Sequence, residues 1–153
     1  MKNTISPEIL QPIFDKVATH FLSMTAPSSA PDKSMCYYRD PESTNRCFIG
    51  ALIQDEDYVP DIEGVAMRSH HSGYRPIGTR GKLEVAVVRG MNALGIEIDE
   101  LNDDLRDTLD ELQVIHDGWG DAKYGREGVT NRLISFAKHR KLSAAALTPE
   151  VEA

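Results

Sequence analysis

Apolar residues recur at helical spacing in four stretches of the chain. Leu10, Ile13, Phe14, Val17, Phe21 and Met24 share one face and predict a first helix. Ser6 and Pro7 ahead of it read as N-cap and first helical residue. Pro12 interrupts the pattern, so the helix either starts there or follows a short first turn. Leu83, Val87, Met91 and Leu94 predict a second helix, ended by Gly95. Gly90 within it either weakens the helix or admits a close neighbour. Leu101, Leu105, Leu109, Leu112 and Ile115 predict a third, capped by Asp99 or Asn102. Val129, Leu133, Phe136 and Ala137 mark a fourth over residues 129–140.

Between the first two helices the pattern changes. Cys36-Tyr37-Tyr38-Arg39 and Cys47-Phe48-Ile49-Gly50-Ala51-Leu52-Ile53 are β-compatible runs. They flank Pro41-Glu42-Ser43-Thr44-Asn45, which is turn chemistry. A central β-hairpin follows. With Pro41 and Glu42 at its tip, Cys36 faces Cys47 and Tyr38 faces Asn45. A loop of four or five residues suits this chemistry better and shifts the register. The fold class expected is α+β: a mainly helical single domain, residues 1–142, with a central β-hairpin. Residues 143–153 read as a flexible C-terminal tail.

At 153 residues the chain fits one domain with a real core. A net charge of −7 argues against direct nucleic-acid binding by the whole surface. No apolar run approaches the roughly 18 residues that span a bilayer, and the start has no secretory pattern. A cytoplasmic protein with reduced cysteines is expected, with Cys36 and Cys47 close together and buried.

Charge is distributed unevenly. Residues 97–111 hold eight acids against Arg106 alone, so the third helix has a strongly acidic outer face. Asp103, Asp107 and Asp110 lie together on it, as a candidate surface for a basic partner. Charge runs more commonly form a solvated face. Residues 65–83 contain no acid and carry Arg68, His70, His71, Arg75, Arg80 and Lys82. They read as a long, mobile basic loop. Arg75 and Arg80, with Tyr74 as a stacking face and Tyr38 and Arg39 from the hairpin, form a candidate site for a nucleotide-like anion. The competing reading pairs these cations with the acidic helix.

Metal and thiol chemistry has thinner support. Cys36 and Cys47 stand eleven positions apart, and no Cys-x-x-Cys or His-x-x-x-His pair accompanies them. Two packed thiols explain them better than zinc, and no cofactor is expected. A Cys–His nucleophile using His116 and Asp117 is conceivable, but that pair also serves as a helix C-terminal cap. Gly125-Arg126-Glu127-Gly128 matches a Gly-x-x-Gly loop of nucleic-acid modules, but four residues match often by chance, the surrounding strand pattern is missing and Glu127 opposes phosphate, so the match is discounted.

The pattern Cys36-x-Tyr38-Arg39, Cys47-x-Ile49-Gly50-x-Leu52-Ile53-x-Asp55, Tyr58 and Ile62-Glu63-Gly64 resembles an uncharacterised family of small phage and prophage proteins. A later Leu112-Gln113-x-Ile115-His116-Asp117 extends the likeness, which covers roughly residues 12 to 140. The resemblance implies a phage-borne accessory protein in the cytoplasm of an infected bacterium. The function expected is non-enzymatic: a counter-defence or host-modulating inhibitor that meets a basic host or phage protein through its acidic helix. The alternatives are a nucleotide-sequestering protein using the basic loop 68–82, or a thiol or zinc-dependent enzyme. Oligomeric state is not legible.

Overall fold

A computed structural model of the chain describes residues 5–28, 37–40, 44–63, 77–119 and 125–147, and for 77–80 the backbone alone. Among the described residues are four α-helices: α1 (Pro7–Ser23), α2 (Ile77–Ala93), α3 (Asp103–Asp117) and α4 (Gly125–His139). Short 3₁₀ turns occupy Gly50–Leu52, Asp55–Asp57, Pro60–Ile62 and Ala145–Leu147. α1 packs against the Gly50–Leu52 and Ala145–Leu147 turns. α2 packs against Pro60–Ile62 and Gly50–Leu52, and α3 packs against α4.

The helices form where apolar periodicity predicts them. Ser6 caps α1, its hydroxyl accepting from the Ile9 N–H. The helix begins at Pro7 and runs through Pro12. Asn102, rather than Asp99, caps α3 by accepting from the Leu105 N–H at 2.8 Å. α2 closes in a Schellman arrangement. Gly95 adopts φ +91°, its N–H donates to Asn92 O, and the Ile96 N–H donates to Met91 O. The expected stripes of α1, α3 and α4 are buried, and Leu83, Val87 and Met91 of α2 join them in one core. α2 begins six residues earlier than its apolar pattern, so 77–82 of the expected basic loop are helical. Ser143 to Leu147, expected in the tail, are docked. Leu147 is buried, and Ser143 exchanges hydrogen bonds with the Gln11 side chain on α1.

The central β-hairpin, and with it the α+β class, is not what forms. The fold is mainly helical, with no β-strand among the described residues. What remains is one isolated antiparallel bridge, Arg39 to Arg46, supported by the Asp40 N–H donating to Asn45 O. This register differs from one that places Tyr38 opposite Asn45. The reason is local. The Tyr38 and Arg39 N–H groups are taken by the Glu63 carboxylate at 2.8 and 3.2 Å, instead of a neighbouring strand. After Cys47 the chain coils at once into the Gly50–Leu52 turn, with the Ala51 N–H donating to Cys47 O. Cys36 lies outside the described residues, so its pairing with Cys47 does too.

Two glycines make the coiled packing possible. A Cβ at Gly50 would stand 2.0 Å from Tyr38 O, and one at Gly90 would stand 1.7 Å from Leu52 O. Gly90 therefore serves the close approach of a neighbour, as one of its two sequence readings held. Gly81 has open space around it. Gly90→Ala is expected to destabilise the fold by about 3 kcal/mol through overpacking. Gly81→Ala is expected to stabilise it by about 0.5–1 kcal/mol through helix propensity. Urea denaturation of the two variants checks the contrast.

Candidate functional site

The segment joining α1 to α2 supplies an ionic cluster. Glu63 is its anchor: besides the two backbone N–H groups, its carboxylate accepts from the Tyr58 hydroxyl at 2.6 Å. Burial and then this hydrogen bond push the Tyr58 pKa well up. The Arg39 guanidinium lies over the Tyr58 ring, 4.7 Å from its centroid, a cation–π contact. Its Nη2 donates to Ile53 O at 3.2 Å and to Asp55 Oδ1 at 2.7 Å. Arg46, across the bridge, donates to that same oxygen at 3.1 Å. Asp55 is exposed, and the adjacent Arg39 charge holds its carboxyl below the usual range. The Nε of Arg39 is buried with no hydrogen-bond partner.

These residues are largely those of the Cys36-x-Tyr38-Arg39 to Ile62-Glu63-Gly64 pattern. Tyr38, Arg39, Cys47, Gly50, Asp55, Tyr58 and Glu63, scattered over 26 positions, touch one another in a chain of contacts. Cys47 closes that chain, its Sγ accepting from the Gly50 N–H at 3.3 Å. Cys47 is buried, and burial pushes its thiol pKa far up. A thiol held protonated in the core is a packing group and not a poised nucleophile.

His116 is equally committed. It is fully buried, and its Nε2 accepts from the Ser28 N–H at 3.1 Å. That assigns the proton to Nδ1, which donates to Asp117 Oδ1 at 3.1 Å. The geometry resembles a catalytic Asp–His pair, but the nitrogen that would take a proton already binds backbone. Phe48 and Trp119 meet the imidazole edge to face, with centroids 5.3 and 6.5 Å away, and Phe21 meets both rings. Arg126, from the discounted Gly-x-x-Gly, lies over Phe21 and Trp119 and caps α1 by donating to Met24 O at 2.8 Å. No group of three or more potential metal ligands exists among the described residues.

Of the remaining expected site residues, Tyr38 is a core residue at 7% exposure, its ionisation suppressed by burial. Tyr74 and Arg75 lie outside the described residues. Arg80 falls on α2, with its side chain outside them. On α3, Asp103 and Asp107 are exposed and Asp110 is half-buried. Arg106, the only cation on α3, turns towards α2. It holds both Glu84 oxygens, at 2.9 and 3.1 Å, as well as Asp103 at 2.9 Å. Glu111 is bound by Arg140, in the turn just after α4. Sequence reasoning gave no role to Glu63, Arg126 or Gln113, whose Oε1 accepts from the Ile49 N–H. For Glu63 a signal existed, in the Ile62-Glu63-Gly64 step.

Two outcomes follow from this geometry. Glu63→Ala strands two backbone donors and is expected to cost about 3 kcal/mol, whereas Tyr58→Phe costs about 1 kcal/mol, both measurable by urea titration. His20 has a buried Nε2 with no partner, and burial, then Arg46, lowers its pKa from the ordinary 6.5. Its neutral form is the one the fold favours. That contribution is fully present above pH 6.5 and is lost as the pH falls from there through the depressed value. Melting temperatures across this range should therefore fall less steeply for His20→Gln than for the wild type. No known family model, curated protein or solved structure matches this chain.

Proposed function

We propose that this protein is a non-enzymatic binding protein that engages a basic surface of a partner protein through the acidic face of α3. The observation that carries the reading is the direction of the charges. Asp103, Asp104 and Asp107 face solvent along α3. The helix's one cation is directed sideways onto Glu84, and the Asp103 carboxylate it also holds remains 94% exposed. A row of carboxylates at three- and four-residue spacing gives a field that attracts basic surfaces and fades with salt. The structural roles of Cys47 and His116 favour binding over thiol chemistry. The resemblance to phage proteins supplies the setting: an accessory protein in the host cytoplasm, with a host or phage protein as partner and inhibition or counter-defence as its outcome. No helix among the described residues is long and apolar enough to cross a membrane.

Reversing the exposed Asp103, Asp104 and Asp107 to Lys tests the reading. Partner capture from bacterial lysate should be lost, and capture by the wild type should fall as salt is raised. The melting temperature should stay close to the wild-type value, because exposed substitutions move stability by about 0.5 kcal/mol and the surface pair with Arg106 is worth about 0–1 kcal/mol. Equal capture by the triple variant would reduce the helix to a solvated face.

A further inference from the structure

Beside the Arg39–Asp55 cluster lies a cleft of about 310 Å³, bounded by α1, the 51–55 segment and the end of α2. Its polar side chains are Lys16, Arg46, Gln54 and Asp55. We propose that this cleft binds a phosphate group, held between the Lys16 ammonium and the Arg46 guanidinium. The proposal rests on residues separate from the α3 acids.

Four observations support it. Lys16 is exposed and makes no hydrogen bond or ion pair among the described residues. Among the described residues Arg46 uses only Nη2 as a side-chain donor, so most of its planar fork is available to an oxyanion. Asp55, the acid of the cleft, is matched more closely by Arg39 than by Arg46, at 2.7 against 3.1 Å. That leaves two positive charges facing the space, which suits a dianion. Asp57 nearby is matched by Arg89 at 3.6 Å. The local field is positive enough that Arg46 and Lys16, after burial itself, both disfavour the charged form of His20. The carbonyl end of α2 would oppose an anion. Its Met91 and Asn92 oxygens, however, already accept from the N–H groups of Leu94, Gly95 and Ile96. Asp55 Oδ1, at the cleft, already accepts from Arg46 Nη2 at 3.1 Å, as a phosphate oxygen would.

The source of the phosphate is either the free ion or a phosphomonoester, and two probes separate them. Thermal melts of the full chain are recorded with inorganic phosphate, and with adenosine monophosphate, against chloride at matched ionic strength. A rise in melting temperature with either probe, beyond chloride, is expected. A larger rise with the nucleotide identifies a phosphomonoester, and equal rises identify the free ion. Lys16→Gln, at an exposed position, should weaken apparent affinity about tenfold, the loss of one charge-assisted hydrogen bond. Asp55→Asn should strengthen it by removing the competing carboxylate. No rise for the wild type with either probe, or an unchanged affinity in Lys16→Gln, overturns the proposal.

Discussion

The Glu63 carboxylate holds together the part of this molecule that has no regular structure. Two backbone N–H groups and a tyrosine hydroxyl converge on it. Those backbone donors belong to a segment with no strand neighbour among the described residues, and a half-buried donor without an acceptor is costly. An ionised acceptor makes stronger hydrogen bonds than a carbonyl. One side chain thereby replaces a short stretch of sheet. Its reach also fixes Tyr58, and Tyr58 in turn gives Arg39 a ring to lie on. Arg39 carries the connection to Ile53 O and Asp55, so the residues on either side of the 41–43 stretch are tied to the start of the 3₁₀ turns.

This arrangement tolerates little change in backbone separation. The Gly50–Leu52 turn lies against Tyr38 on one side and α2 on the other, and both contacts require glycine. Phe48, Ile49, Leu52 and Ile53 can then enter the core from a coiled segment rather than from a strand. The helices supply the remaining walls. α1 is gripped at its C-terminal end by Arg126, and α3 sends Gln113 to the Ile49 N–H and His116 to the Ser28 N–H. Polar side chains thus close most gaps that secondary structure leaves open.

The same division separates scaffold from surface. Cys47 and His116 carry the most reactive chemistry in the sequence, yet both are buried and hydrogen-bonded to backbone. Among the charged groups that reach solvent are carboxylates on α3 and, around the 310 Å³ cleft, Lys16 and, in part, Arg46. Surface charge of this kind contributes to specificity and to the rate of encounter through electrostatic complementarity.

The amino-acid sequence by itself determined the helices. Heptad-like spacing in α1, α3 and α4, the Ser6 cap and the Gly95 stop are local signals, because a helix closes its own hydrogen bonds within four residues. The acidic face of α3 was legible for the same reason. Only the tertiary structure decided the fate of the Cys36–Ile53 region. Apolar, β-compatible runs on either side of turn residues are consistent with a hairpin. Whether they pair depends on which acceptors reach their N–H groups, and here Glu63, some 25 residues away, reaches Tyr38 and Arg39. The early start of α2 was hidden because Gly78 and Gly81 mask helical periodicity. The Lys16–Arg46 cleft was invisible because its two cations are thirty positions apart in the chain and meet only once α1 packs on the Gly50–Leu52 turn.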